Sequence, residues 1–222
     1  MFRKKKLAYL LLILITLEST STKKNQIEDI SEPGCGVFST SSTIFSGTPV
    51  SYPFMVLVFA FTFPSSNTSV DETNFICGGT LISRYKILTA AHCVSQKTVD
   101  DLVIVIEADN VKAKLENMEW STLLRIELYP DYDTEEPDEY WNSPDVALLT
   151  LEEPVTFDSK INPICLPSLS DASNNTYEGS NAIVTGWGET ESGNTSLDKL
   201  LRVEVPVISN TECKTYYSKI KR

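Results

Sequence analysis

The chain has 222 residues, of which 30 are acidic and 19 are basic, so its formal net charge at neutral pH is −11. Proteins bind nucleic acids and anionic membranes through basic patches, and this charge balance argues against both functions. The chain contains one histidine and five cysteines, and no two cysteines form a Cys-x-x-Cys pair, which argues against a structural zinc site. We therefore expect neither a metal nor a cofactor.

The amino-terminal segment has the form of a secretory signal peptide. Four basic residues at positions 3–6 precede an apolar run at 7–17, and small polar residues follow around Ser21. That run is shorter than the ~20 apolar residues that a helix needs to cross a bilayer. We predict removal of residues 1–21, export from the cell, and no membrane attachment afterwards. The removed segment carries a net charge of +3, so the remaining chain changes from −11 to −14.

The next segment, residues 22–43, is rich in polar residues without periodicity and predicts an exposed leader. From Pro53 onwards, short β-rich runs alternate with polar turns, which indicates an all-β sandwich or barrel; the pattern does not choose between these two. Ser209-Asn210-Thr211-Glu212 has the form of a capping box and predicts a helix to about Lys219. The predicted strands are 54–63, 75–82, 86–88, 102–106, 123–128, 146–151, 182–184 and 200–207.

Export implies an oxidising compartment, in which cysteines are expected to form disulfides. Because there are five cysteines, one thiol lacks a partner within this sequence. Three Asn-x-Ser/Thr triplets begin at Asn67, Asn174 and Asn194 and are candidate N-glycosylation sites. Such triplets also arise by chance, which leaves the use of each one open.

Two residues have side chains suited to acyl-transfer chemistry. His92 is the only histidine, and its imidazole can act as a general base near neutral pH. Asp145 enters an apolar run, where a buried carboxylate needs a hydrogen-bond partner such as a histidine N–H. On local sequence alone, a turn cap before a strand is the simpler account of Asp145.

Four segments in order resemble the chymotrypsin/trypsin-like serine peptidases. They are Leu-Thr-Ala-Ala-His-Cys at 88–93, Asp-Val-Ala-Leu-Leu at 145–149, Asn-Pro-Ile-Cys-Leu-Pro at 162–167 and Thr-Gly-Trp-Gly at 185–188. The resemblance implies an all-β, chymotrypsin-like double antiparallel β-barrel with the active site in the cleft, the first barrel complete and the second partial. It implies a peptidase domain over residues 44–222, with His92 as the base and Asp145 as the carboxylate that orients it.

The resemblance also implies how the cysteines pair. Cys77 and Cys93 match a disulfide that closes the loop carrying the histidine. Cys35 and Cys165 match the pair that tethers a cleaved leader to the enzyme. Cys213 resembles a cysteine whose partner lies further downstream, so we expect the protein to continue beyond Arg222.

Three features depart from the family pattern. No Gly-Asp-Ser-Gly-Gly nucleophile segment occurs, and Ser192-Gly193 lacks the flanking residues and predicts a surface loop. Thr43 precedes Ile44, where the family has Arg or Lys at its activation cleavage. Either a different activating protease cleaves there or the protein stays single-chain. The second barrel is also incomplete, and an unclosed barrel exposes strand edges and an apolar face.

Two functions remain open. The first is a secreted serine endopeptidase that hydrolyses protein or peptide substrates, its sequence here ending before the serine, with an activating protease or an inhibitor as further partners. The alternative is a catalytically inactive homologue that acts as a binding or regulatory protein. Retention of His92 and Asp145 favours the peptidase, whereas Thr43 favours the homologue.

Acidic residues elsewhere suggest two further sites. By the resemblance, one cluster borders the non-primed side of the cleft and would favour basic substrate residues, although a solvated loop is the more ordinary account. A calcium site in a second cluster has no supporting ligand spacing. The first cluster is Asp131, Asp133, Glu135, Glu136, Asp138 and Glu139, and the second is Glu107, Asp109, Glu116 and Glu119.

Overall fold

The computed structural model describes residues 13–14, 32–37, 52–60, 74–106, 117, 120–132, 144–168, 177–187 and 200–220. Within these ranges the chain is mostly β, which confirms the predicted fold class. The strands are β1 (Ile13–Leu14), β2 (Met55–Ala60), β3 (Phe75–Leu81), β4 (Lys86–Thr89), β5 (Leu102–Ile106), β6 (Leu123–Leu128), β7 (Ala147–Leu151), β8 (Asn181–Gly186) and β9 (Leu201–Pro206). The helices are α1 (Ala91–Val94), a 3-10 turn at Val99–Asp101, and α2 (Asn210–Ile220).

Six strands form one antiparallel sheet in the order β5-β2-β3-β4-β7-β6. The two edges of this sheet meet, because Ser121, just before β6, bridges to Ile104 in β5. The backbone N–H of Ile104 donates to the Ser121 carbonyl at 2.9 Å, and the Ser121 N–H donates back to Ile104 at 2.8 Å. A sheet whose edges are joined is a barrel, so the structure chooses the barrel over the sandwich.

The core of this barrel is formed by the most apolar strands. Val56, Leu57, Val58 and Phe59 of β2 are fully buried, and all five residues of β5 are buried as well. The ring of Phe59 packs edge-on against Phe75 at a centroid distance of 5.8 Å. Burial of each large apolar side chain stabilises the fold by roughly 1.5–3 kcal/mol, so these two strands contribute strongly to the stability of the barrel.

Gly79 in β3 lies where the barrel wall has no room for a side chain. A Cβ at this position would lie 2.9 Å from Cγ2 of Ile87 and 3.0 Å from Cγ2 of Val56. We expect Gly79→Ala to lower the free energy of unfolding by about 1–3 kcal/mol, because overpacking forces neighbouring side chains to move. Gly186→Ala is the control, since a Cβ there meets no atom within 4 Å. Urea unfolding that gives both variants the same midpoint would contradict this expectation.

A second sheet has the order β1-β8-β9. Thr185 pairs with Arg202 across β8 and β9, so both side chains lie on the same face, and both are buried. Nη1 of Arg202 donates to the Tyr52 hydroxyl at 3.0 Å, and the Thr185 hydroxyl contacts the Met55 sulfur at 3.2 Å. The second sheet therefore packs against the start of the first barrel.

Helix α2 and strand β1 can each be compared with a prediction from the sequence. The backbone N–H of Glu212 donates to the Ser209 hydroxyl at 3.0 Å, so α2 begins with the cap that its sequence predicts. Strand β1 lies inside the segment predicted to be a signal peptide, and it pairs with Ile183 and Val184. If residues 1–21 are removed as predicted, this edge of β8 loses that neighbour.

Candidate active site

His92 lies in a single turn of helix directly after β4. Ala90 is extended, with φ −82° and ψ 142°, and the chain then turns into α1. The hydroxyl of Thr89, at the end of β4, donates to the Gly78 carbonyl at 2.9 Å and fixes the strand end to β3. The sudden change from strand to helix directs the histidine away from the barrel core, and its ring is 21% exposed.

Strand pairing brings Asp145 to the same place. Strands β4 and β7 are antiparallel, and Thr89 pairs with Ala147. His92 follows Thr89 by three residues, and Asp145 precedes Ala147 by two, so both residues lie at the same end of the sheet. This register is why residues 53 positions apart in the chain become neighbours.

The Asp145 carboxylate makes two hydrogen bonds to His92. Its Oδ2 lies 2.6 Å from the ring Nδ1, and its Oδ1 accepts the backbone N–H of the same histidine at 2.8 Å. The two bonds fix the orientation of the carboxylate and of the ring together. A carboxylate at Nδ1 favours the tautomer with hydrogen on Nδ1, which leaves Nε2 as a proton acceptor. The arrangement can take up a proton at Nε2 and stabilise the resulting imidazolium.

Both disulfides that the resemblance implies are present. Cys77 is bonded to Cys93 with a Cα–Cα distance of 6.2 Å, and Cys35 is bonded to Cys165 at 5.1 Å. Cys213 is a free, half-buried thiol. The first bond attaches the residue after His92 to β3, and the Cys93 sulfur lies 3.4 Å from Nε2 of the histidine.

Cys77, His92 and Cys93 also lie close enough together to resemble a metal-binding group, their ligand atoms all within 4.8 Å of one another. Zinc is bound by thiolates, however, and both sulfurs are joined in the disulfide. While this disulfide is intact, the two cysteine sulfurs are not metal ligands.

Leader residues 32–37 are held on the first barrel by more than the Cys35–Cys165 bond. The backbone N–H of Gly36 donates to the Pro163 carbonyl at 2.8 Å. Gly36 has a φ of +72°, and a Cβ there would lie 3.0 Å from the Cys165 sulfur, so only glycine fits without strain. Glu32 pairs with Arg84 at 3.8 Å on the surface of the barrel.

Several predicted sites lie outside the described residues. These include the three glycosylation candidates, the Thr43–Ile44 bond, the Ser192-Gly193 pair and the whole calcium cluster. Of the acidic cluster before Asp145, the structure describes Asp131, which is exposed in the turn after β6. The proposed roles of these residues stay predictions.

Sequence reasoning missed the contribution of Thr89. Its buried hydroxyl joins the His92 segment to β3 next to Cys77, so the hydrogen bond and the disulfide hold the same short connection. A threonine at the end of an apolar strand, followed by two alanines, was the available signal. The same residue type is common in strands for packing reasons alone, which is why the pattern did not single it out.

The model of the trypsin family matches residues 46–222 of this sequence. The chain belongs to the trypsin family. Among its relatives is a venom serine protease, Bi-VSP, of Bombus ignitus, with 33% identity over 199 residues that cover 88% of this chain and 53% of the relative. Serine proteinase stubble of Drosophila melanogaster is 30% identical over 226 residues, which cover 93% of this chain and 27% of that protein.

A third relative of this trypsin-family chain is the clotting factor G beta subunit of Tachypleus tridentatus, with 26% identity over 89% of this chain and 60% of the relative. The chain thus spans about half the length of the venom protease and about a quarter of stubble. No helix in the described part of the chain combines the length and apolar character that crossing a bilayer requires.

Proposed function

We propose that the protein is a secreted serine endopeptidase in which His92 is the general base and Asp145 orients it. The paired hydrogen bonds from one carboxylate to the ring and the backbone of the only histidine carry this proposal. A turn cap accepts a backbone N–H from its own turn, whereas both hydrogen bonds of this carboxylate are to His92, 53 positions away. The contact at 2.6 Å joins the carboxylate to Nδ1, the ring nitrogen that the carboxylate of a serine-peptidase triad holds.

The chemistry that follows is peptide-bond hydrolysis through an acyl-enzyme. A serine hydroxyl attacks the substrate carbonyl while Nε2 of His92 accepts its proton, and Asp145 stabilises the imidazolium. The imidazolium then gives this proton to the leaving amine, and water completes the cycle by the same steps in reverse order. The serine and its oxyanion donors are expected in a Gly-Asp-Ser-Gly-Gly segment, which the 222 residues do not contain.

The proposed setting is extracellular. The signal-peptide pattern and two relatives named for venom and clotting support export. Membership of the family supports protein or peptide substrates, and an activating protease or an inhibitor is a further proposed partner. Because Thr43 precedes Ile44, an activating protease of trypsin-like specificity would not cleave this bond.

An inactive homologue is the second candidate, supported by Thr43 in the position before Ile44. Transcript sequencing downstream of the codon for Arg222 separates the two functions. A Gly-Asp-Ser-Gly-Gly segment supports the peptidase, and another residue in place of its serine supports the homologue.

The 222-residue chain itself is expected to hydrolyse no peptide or ester and to stay unlabelled by a fluorophosphonate probe, which reacts with activated serines. The reason is that none of its serines has a nucleophile context. Mass spectrometry of the treated protein measures the labelling. Stoichiometric labelling that disappears in His92→Ala would show that a serine within the chain is activated.

A further inference from the structure

A pocket of about 240 Å³ opens on the surface of the first barrel. Its apolar lining is formed by Ile104, Ile106, Trp120, Pro154, Val155 and Ile161. Ser121 and the exposed Glu153 add the polar atoms. The two isoleucines of β5 are buried and form the base, whereas Pro154 is exposed and the remaining apolar residues are half-buried.

The pocket is distinct from the His92–Asp145 pair. Asp145 precedes β7, whereas Glu153 follows the opposite end of the same strand. The five residues of β7, at ~3.3 Å per residue, span roughly 16 Å. A side chain bound in the pocket therefore lies too far from Nε2 of His92 to take part in the chemistry.

Backbone and side-chain hydrogen bonds hold the walls in place. The Glu152 N–H donates to the Thr122 carbonyl at 3.0 Å, and the Thr122 hydroxyl donates to the Glu152 carboxylate at 2.7 Å. The Val155 N–H donates to the Arg84 carbonyl at 2.9 Å. With the Ile104–Ser121 bridge, these bonds fix two sides of the pocket, and a preformed pocket loses less entropy on binding.

The third wall is a tight turn at residues 158–161. One oxygen of the Asp158 carboxylate accepts the backbone N–H groups of Lys160 at 2.7 Å and Ile161 at 2.8 Å. These hydrogen bonds hold the pKa of the Asp158 carboxyl below its ordinary value. The turn therefore presents Ile161 to the pocket in a fixed position wherever Asp158 is ionised.

The size of the pocket indicates its occupant. A volume of about 240 Å³ lies below the ~300–1,000 Å³ of sites that enclose drug-sized ligands. It suits one large side chain, as in protein interfaces where an aromatic anchor fills a pocket and supplies most of the binding energy. The lining favours an uncharged anchor, because burying a charge among six apolar side chains is costly and the one carboxylate in the lining, that of Glu153, is exposed to solvent.

The acidic residues around the pocket opening favour particular residues on either side of the anchor side chain. Glu153 lines the pocket and Glu152 precedes it, both with exposed side chains, and the chain as a whole is acidic. Two cations lie near the pocket, and each has an acidic neighbour. Lys160 interacts favourably with Asp158 in the same turn. Arg84, whose guanidinium donates to the Val155 carbonyl at 3.3 Å, pairs with Glu32 at 3.8 Å. A flanking Lys or Arg would thus meet negative charge, whereas a flanking Glu would be repelled.

We propose that this pocket docks an aromatic side chain flanked by Lys or Arg in an exposed segment of a protein partner. The inference rests on the proposed function only in taking that partner to be a macromolecular substrate or inhibitor. Binding here would select partners without contacting His92 or Asp145, and it needs no catalysis to be observed.

The test uses the 222-residue chain labelled with 5-fluorotryptophan, whose three tryptophans report separately by fluorine NMR. Trp120→Phe assigns the signal from the pocket. Acetyl-Gly-Lys-Phe-Lys-Gly-amide is expected to shift the Trp120 signal in a saturable way at millimolar concentration. Replacing Phe in the probe by Ala, or both Lys by Glu, is expected to weaken binding at least about tenfold.

Two charge-reversal variants complete the test. Glu153→Lys is expected to weaken binding of the Lys-Phe-Lys probe about three- to tenfold, whereas Glu212→Lys, the same change on α2, should leave it unchanged. An unmoved Trp120 signal, or equal affinity for the Ala probe, overturns the proposal. Stronger binding of a peptide with this chain's own residues 22–31 also overturns it, since the occupant would then be the leader. None of these outcomes depends on whether the protein is a peptidase.

Discussion

Asp145→Asn is expected to lower kcat about 10⁴-fold in a form of the protein that carries the nucleophile segment, the loss seen when this carboxylate is replaced in serine peptidases. The asparagine oxygen can still accept the backbone N–H of His92. Its NH₂ group then faces Nδ1, which must give up its hydrogen to accept that bond. The proton moves to Nε2, so the imidazole can no longer take a proton from serine. Hydrolysis of a peptide ester under saturating substrate measures the loss.

Asp100→Asn is the matched control, because it removes the same charge from the exposed 3-10 turn before β5, outside the acidic cluster expected to border the cleft. We expect its kcat to stay within about threefold of the parent. If kcat fell by a similar factor in both variants, general negative charge would be what matters, and the bond to Nδ1 would not. An active Asp145→Asn variant would remove the main support for the proposed function.

The sequence predicted the strands of the first barrel well because they are short, apolar and bounded by polar turns. Observed β5 and β6 coincide with the predicted ranges, and β3, β4 and β7 differ from theirs by one residue at an end. The predicted 54–63 strand lies at 55–60 in the described residues. Hydrophobic pattern could not predict that Ser121 joins the barrel edges, since the bridge is made by backbone groups that every residue carries.

The candidate site was predictable only as a pair of residues. A general base and an acidic residue at the start of an apolar strand were visible in the sequence, whereas their geometry depends on the register of β4 and β7. Thr89 opposite Ala147 sets that register, and a slip of one residue would send Asp145 to the other face. Resemblance to the family supplied the roles that local pattern left open, and these roles of His92 and Asp145 stay a proposal, which the two hydrogen bonds support.

Arg202 and the surface pocket were not foreseen for a different reason. A basic residue in a predicted strand normally points to solvent. Arg202 of β9 is instead buried and donates to the hydroxyl of Tyr52, which lies just before β2 of the first barrel. The pocket likewise depends on segments from β5, the start of β6 and the chain after β7. Both features arise from packing between distant segments, about which periodicity within one segment carries no information.

Removal of the Cys77–Cys93 disulfide is expected to lower the free energy of unfolding by about 3 kcal/mol, the loop-closure value for a loop of ~15 residues. The bond links residues 16 positions apart. Without it, the unfolded chain has more conformational freedom, and folding costs more entropy. The variant is Cys77→Ala with Cys93→Ala, which avoids placing unpaired polar groups among buried neighbours. Urea unfolding followed by tryptophan fluorescence measures the change.

The same variant also tests how His92 is positioned. With the disulfide gone, the Thr89 hydroxyl bond to Gly78 still holds the end of β4, so we expect the barrel to fold. The histidine turn loses its covalent link to β3, and in a form with the nucleophile segment kcat should fall while KM changes little, because orientation of the base acts in the chemical step. Cys213→Ser is the control, since this free thiol lies on α2, outside the first barrel. An unchanged kcat in the variant without the disulfide would show that the hydrogen bonds of β3 and β4 position His92 without help from the disulfide.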